Sequence, residues 1–134
     1  MKHTSRLLLL LLSLLLALSL VSCDRSDEVI SDFRDAYWAV EEIDLDDADE
    51  LAILKMIMTE EDIAALSECE VLVASKAGIP LAGVLVFDSR VDLRHYIETL
   101  DEEKQERSAE EGRVRGNCYL FYAGHGALEI FAEE

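Results

Sequence analysis

Apolar and polar residues follow three different patterns along this chain of 134 residues. Residues 7–21 form a leucine-rich apolar run that has no polar face. From about residue 28 to residue 66, apolar residues recur every three or four positions with acidic residues between them, which is typical of amphipathic helices. From Glu70 onward, runs rich in β-branched residues appear, and these favour strands.

The helical spacing predicts three helices in the first half of the chain. The first covers about residues 28–42 and is ended by the acidic residues 44–50. The second covers about residues 51–58, whose apolar positions share one side. Thr59 and Asp62 then have the form of a capping box, which predicts a short helix that ends near residue 66 or 67.

The β-branched runs predict three strands. Residues 70–74 and 83–87 are separated by the turn signals of residues 76–80, so we expect a β-hairpin with a longer loop. Residues 118–123 form the third predicted strand.

Between and after these strands, the pattern predicts further helices. Residues 91–106 favour one long helix, residues 110–116 a loop, and residues 127–134 a short terminal helix, with a fourth strand as the alternative for this last segment. A single helix between the second and third strands implies a crossover, and therefore a parallel pair. The predicted fold class is α+β, with N-terminal helices followed by β-β-α-β-α and a small sheet backed by helices.

The start of the chain resembles a bacterial lipoprotein signal peptide. Lys2 and Arg6 supply the positive start and residues 7–21 the apolar core, while Leu-Val-Ser-Cys at residues 20–23 fits the lipobox, in which a small residue precedes a cysteine. The resemblance implies that the chain is cut before Cys23 and that the thiol of Cys23 receives a diacylglyceryl group.

This interpretation divides the chain into a signal peptide of residues 1–22, a lipidated tether of residues 23–28 and a single α+β domain of residues 29–134. An uncleaved anchor is the alternative, but the apolar run falls short of the roughly 20 residues that a transmembrane helix needs. Two or more acyl chains hold a protein stably on a bilayer. We therefore expect the protein on the extracytoplasmic side of the cell membrane, anchored by lipid.

The charge of the chain excludes one class of partner. The full sequence has a formal net charge of −17. Removal of the signal peptide takes away Lys2 and Arg6, which leaves ten basic residues against 29 acidic ones and a formal charge of −19. So acidic a protein is not expected to bind nucleic acid, whose phosphates require a basic surface.

Four segments together resemble a group of small bacterial lipoproteins, mostly Gram-positive, that carry a domain of unknown function. These are the lipobox, Met-Thr-Glu-Glu-Asp-Ile at residues 58–63, Val-Leu-Val-Phe-Asp at residues 84–88, and Gly-Asn-Cys-Tyr-Leu-Phe at residues 116–121. The resemblance implies a location and an architecture, and it brings no catalytic residues.

The sequence Tyr-Ala-Gly-His-Gly at residues 122–126 resembles the histidine motif of caspase-like cysteine peptidases. In that family the histidine activates a cysteine well downstream. Here eight residues follow Gly126 and none is cysteine, while Cys118 precedes His125 by seven residues. We therefore interpret the motif as a tight turn, with a cysteine-peptidase relative that uses His125 as the alternative.

Cys69 and Cys118 are the two thiols that remain after lipidation of Cys23. An even pair outside the cytoplasm suggests a disulfide, but a parallel crossover would place these two residues too far apart to be bridged. We therefore predict that they are not joined. The chain has no Cys-x-x-Cys motif, so a zinc or thioredoxin-type site is not supported.

Residues 44–50 are rich in acids but do not fit a calcium loop. Counted from Asp44, the sixth position holds Asp49 where an EF-hand needs glycine, and the twelfth holds Lys55 where it needs glutamate. The acids favour a helix start, because the helix dipole attracts negative charge there. Trp38 is expected in the core or on a helix-packing surface, with a ligand-stacking role as the alternative, and His95 is expected in solvent.

The sequence thus predicts a non-enzymatic, lipid-anchored domain that interacts with another envelope component or a ligand, and that uses no cofactor and no metal. The alternatives are the cysteine-peptidase relative and a weak divalent-cation binder.

Overall fold

The computed structural model describes residues 25–66 and 69–132. Its helices and strands, in chain order, are α1 (Ser26–Asp35), β1 (Ala39–Glu42), α2 (Ala48–Lys55), α3 (Glu60–Ala64), β2 (Glu70–Lys76), β3 (Ile79–Val86), α4 (Arg90–Glu98), α5 (Glu102–Glu110), β4 (Val114–Arg115), β5 (Cys118–Ala123) and α6 (Ala127–Ala132). The α+β fold class is confirmed. The predicted signal peptide and Cys23 lie outside the described residues.

The strands form one five-stranded sheet in the order β1-β2-β3-β5-β4, and every neighbouring pair is antiparallel. The predicted parallel crossover between β3 and β5 is therefore wrong. Where one long helix was predicted, two helices occur, and the Asp101 carboxylate starts the second by accepting a hydrogen bond from the Lys104 N–H at 2.8 Å. With this break the connection returns to the end of the sheet that it left, because Val86 at the end of β3 pairs with Cys118 at the start of β5.

Both faces of the sheet are apolar and both are covered by helices. Strands that are apolar on both sides require such cover, so the helices lie on two sides of the sheet and not on one. The first face packs against α1 and α6, and its buried strand residues are Leu72, Ala74, Ala82, Val84, Val86, Cys118 and Leu120. The second face packs against α2, α3 and α4, and its buried strand residues are Val71, Val73, Leu85 and Tyr119.

Helix α1 ends seven residues before the predicted boundary, because the chain leaves the helix in a Schellman motif. The Tyr37 N–H donates to the Arg34 carbonyl at 2.9 Å and the Trp38 N–H to the Phe33 carbonyl at 3.0 Å. Tyr37 adopts a positive φ of 68°. The rings of Phe33 and Trp38 then pack 5.3 Å apart, and the chain continues as β1.

The β2–β3 hairpin has a two-residue turn and not the longer loop that was predicted. Lys76 pairs with Ile79, so only Ala77 and Gly78 connect the strands, both with positive φ. Such turns match the twist of a hairpin. Pro80, which suggested a break, lies within β3 beside an irregularity in the register, a position that tolerates its missing N–H.

Two predictions at the helices are confirmed, and one short strand was missed. The capping box is confirmed on its Thr59 side, whose hydroxyl accepts from the Asp62 N–H at 3.2 Å. The terminal helix is confirmed as α6, and the alternative of a fourth strand there is wrong. A short strand, β4, instead lies within the predicted loop, where it pairs with β5.

Candidate functional site

The described chain begins at a specific contact with the sheet, two residues after the predicted lipidation site. The Arg25 backbone N–H donates to Asn117 Oδ1 at 2.8 Å. Asn117 is 2 % exposed, and its Nδ2 donates to the Phe87 carbonyl at 2.7 Å. One buried amide therefore joins the entering chain, the end of β3 and the start of β5.

This contact distinguishes two ends of the sheet. The Asn117 end comprises the last residues of β3 and the first residues of β5, and the hairpin end comprises the turn at Ala77 and Gly78 and the turn after β5. Residues 26–28, predicted as part of a solvated tether, form the first turn of α1.

Both described cysteines lie at the Asn117 end. Cys118 pairs with Val86, and Glu70, which follows Cys69, pairs with Val86 from the other side. The reason that we gave for an unbridged pair is therefore wrong, because the two cysteines share one end of the sheet. What separates them is the intervening β3 and the sheet itself, since Cys118 packs on the first face and Cys69 on the second.

His125 lies at the opposite, hairpin end. It is exposed, in the turn between β5 and α6, where Gly126 has a φ of 85°. His125 therefore lies in a turn, as predicted. An extended strand rises about 3.3 Å per residue, so Cys118 is roughly 20 Å from His125, and Cys69 precedes the whole length of β2. Neither described cysteine reaches His125.

The thiol of Cys69 is also poorly suited to nucleophilic attack. Burial raises its pKa from 9.0 to about 11. The thiolate is the reactive form of cysteine, and with this pKa the side chain stays protonated at neutral pH.

The acidic residues 44–50 start a helix, as predicted. The Asp47 carboxylate accepts from the Asp49 N–H at 2.9 Å and from the Glu50 N–H at 3.3 Å. The Asp44 carboxylate accepts from the Asp46 N–H at 2.9 Å. Within residues 25–66 and 69–132, no three side chains of the metal-binding types are grouped to hold an ion.

Two further sequence predictions concern aromatic and imidazole side chains. Trp38 is in the core, as predicted, with 4 % of its surface exposed, and Lys76 Nζ lies 6.0 Å from its ring centroid. His95 is exposed, as predicted, but it also lines a groove.

That groove, of about 480 Å³, runs along α4 near the Asn117 end. Asp92, His95, Tyr96 and Thr99 line it, together with Asp88. The pKa of Tyr96 is raised to about 12, mainly by burial and then by the neighbouring Tyr119, Asp62 and Cys69. Its hydroxyl is therefore a hydrogen-bond donor at neutral pH. Sequence reasoning missed this groove, although the spacing of three and four residues along α4 was visible.

A smaller pocket of about 160 Å³ lies between α3 and α5. Lys104, Arg107 and Arg113 line it beside apolar and tyrosine side chains. Arg107 pairs with Glu103 at 3.1 Å and Arg113 with Glu111 at 2.7 Å, so two of the three positive charges are already compensated.

Among the residues that the structure describes, no helix is long and apolar enough to cross a membrane. No protein-family model, no curated protein and no solved structure matches the chain significantly.

Proposed function

We propose that this protein is a lipid-anchored extracytoplasmic domain that acts by binding another component of the cell envelope. The contact between Arg25 and Asn117 carries the proposal. A flexible tether would leave the domain free to turn in any direction. Here the hydrogen bond fixes the chain two residues after Cys23, so an acyl group on Cys23 would hold the Asn117 end beside the bilayer and leave the hairpin end outward.

Two observations favour binding over catalysis. The histidine motif suggested a cysteine–histidine pair, and both described cysteines lie at the other end of the sheet from His125. An activated nucleophile must lie within hydrogen-bond reach of its base. The protonated thiol of Cys69 supports the same view.

The lipid anchor is tested with Cys23→Ser and with Cys69→Ser as the matched control. In cells supplied with a labelled fatty acid, the Cys23→Ser chain is expected to remain an unprocessed precursor without label, because the acylated sulfur is missing. The Cys69→Ser chain should be labelled and processed like the parent. Normal labelling and cleavage of Cys23→Ser would refute the proposal.

A further inference from the structure

Strand β1 is an edge of the sheet with an unpaired outer side. It is first in the strand order and pairs only with β2. The Ile43 N–H donates to the Val71 carbonyl at 2.8 Å, and bonded pairs alternate along an antiparallel ladder. Ala39 and Glu41 are therefore bonded to β2 as well. Val40 and Glu42 direct their N–H and carbonyl groups outward, where no partner meets them in the described part of the chain.

A groove with both polar and apolar lining adjoins this edge on the second face of the sheet. It has a volume of about 370 Å³ and is lined by Tyr37, Ala39 and Glu41 from the edge, by Ile53 of α2 and by Met56, which follows α2. Tyr37 is 93 % exposed and Met56 is 69 % exposed. Large apolar side chains held so openly beside an unpaired edge mark a surface that a partner can cover.

The backbone conformation at Tyr37 is unusual for an exposed aromatic residue. Tyr37 occupies the position after the helix end that glycine usually fills, and its positive φ is unfavourable for a residue with a Cβ atom. Its ring makes no aromatic contact within the described residues. Residues held in such unfavourable backbone conformations are enriched at binding sites.

Charge selects which strand can pair with this edge. The ten residues 41–50 include seven acidic residues and no basic one. Glu41 and Glu42 lie on opposite faces of β1, and both are exposed. A second copy of the chain would bring a second set of the same acids to this edge, and like charges close together are unfavourable for paired strands. A strand with basic side chains opposite these two residues would be attracted.

We infer that β1 binds an extended segment of a partner protein, which adds to the sheet as a sixth strand. The segment carries two consecutive basic residues opposite Glu41 and Glu42 and two consecutive apolar residues opposite Ala39 and Val40, next to Tyr37. The inference rests on the proposed function, since it specifies the partner of the anchored domain. Because β1 pairs with residues 72–75 of β2, the bound segment would lie along the middle of this edge of the sheet.

The probe is a labelled peptide, Thr-Lys-Lys-Val-Val-Thr with blocked ends, which matches β1 in the antiparallel direction. Its binding is measured by fluorescence anisotropy on the full chain in nanodiscs of zwitterionic lipid, so that lysine is not attracted to the bilayer. Hydrogen exchange is measured in parallel. The Val40 and Glu42 amides should become protected when the peptide binds, while the Glu41 amide is protected throughout. A peptide with glutamate in place of lysine should not bind.

Two variants at one position separate strand pairing from charge. Glu42→Gln and Glu42→Pro remove the same charge, but only proline also removes the outward N–H, which an edge strand tolerates. Glu42→Gln should weaken binding about twofold to fivefold, and Glu42→Pro at least tenfold. Tyr37→Gly should weaken binding about fivefold without lowering the melting temperature, because glycine accepts the positive φ.

Equal weakening by Glu42→Gln and Glu42→Pro would overturn the inference, since charge alone would then explain binding. Peptide binding that does not protect the Val40 amide from hydrogen exchange would also overturn the inference. The same is true if this protection depends only on protein concentration, because a second copy of the chain would then be the partner. Loss of acylation in Cys23→Ser with unchanged peptide binding is the expected result. Normal acylation of that variant with unchanged peptide binding would refute the lipid anchor and leave the strand site intact.

Discussion

Gly83 lies directly beneath the ring of Phe121, and replacing it with alanine tests how β3 and β5 fit together. Gly83 pairs with Tyr122 and Val84 with Leu120, so Phe121 is the extra residue of a bulge and its ring covers the glycine. A Cβ atom added to Gly83 would lie 2.2 Å from Phe121 Cζ and 2.6 Å from Cε2. Neither distance is tolerable, so the ring must move.

The cost of Gly83→Ala combines two opposing effects. Overpacking of a filled site typically costs about 1–3 kcal/mol. Gly83 does not adopt a positive φ, so alanine fits the backbone and returns roughly 0.5–1 kcal/mol, because glycine is unfavourable in a strand. We therefore expect Gly83→Ala to reduce the free energy of unfolding by about 1–2 kcal/mol. For a domain of this size, that lowers the melting temperature by about 5–10 °C.

A double-mutant cycle identifies the ring as the cause. Phe121→Leu removes the ring atoms that the added Cβ atom would meet, at its own cost in buried area. The Gly83→Ala change should then cost less than about 0.5 kcal/mol in the Phe121→Leu background, which corresponds to a coupling near 1 kcal/mol. Thermal unfolding of the four proteins, followed by circular dichroism, supplies the numbers. An equal cost of alanine in both backgrounds, or no cost with Phe121 present, would refute this account of the bulge.

Two other predictions concern pH and the acidic segment. Folding raises the pKa of Cys69 from 9.0 to about 11 and that of Tyr96 from 10.0 to about 12, so the folded protein keeps protons that the unfolded chain releases. The free energy of unfolding, measured by urea titration, should thus be steady below pH 9 and fall from pH 9 to pH 12. This fall should be smaller in Cys69→Ser and in Tyr96→Phe. A free energy that does not change with pH in the parent protein would contradict the prediction. Asp47→Ala should cost about 1 kcal/mol through loss of the cap, while Asp46→Ala costs less than about 0.5 kcal/mol. Millimolar calcium should leave the melting temperatures of the Asp47→Ala and Asp46→Ala proteins unchanged when the ionic strength is matched. A stabilisation that is specific to calcium would show that an ion binds to the acidic segment.

Three of the five strands were predictable because their chemistry is local. The runs that became β2, β3 and β5 are rich in β-branched residues, and such runs favour strands in almost any context. The helix caps were predictable for the same reason. At Thr59 and Ser89, a hydroxyl accepts a backbone N–H three residues later, and no distant residue takes part.

The end of α1 was not predictable from spacing, because burial of Trp38 in the core of the domain contributes to it. Val40 lies three residues after Tyr37, which suits a helix, and the predicted helix therefore continued through it. The chain instead leaves the helix at Tyr37, and the packing of Trp38 on Phe33 contributes to this exit. Adjacent aromatic residues at positions 37 and 38 were the only visible sign that the helical period had ended.

Asn117 was missed for a related reason. An asparagine after a glycine indicates a turn, and nothing in the sequence shows that its amide is buried or that it binds both Arg25 and Phe87. The break at Asp101 was different, because an aspartate followed by two glutamates is a helix-start signal that was present in the sequence. Reading it would have divided the predicted long helix and removed the reason for a parallel crossover.

That one helix break also determines at which end of the sheet Arg25 lies. In the predicted parallel arrangement, β5 would begin beside the β2–β3 turn, and Asn117 with it. Arg25 would then lie at the same end as Tyr37. The antiparallel arrangement pairs Cys118 with Val86 and places Arg25, which binds Asn117, at the other end of the sheet. The positions of Arg25 and Tyr37 at opposite ends are thus a consequence of two short helices in place of one long one.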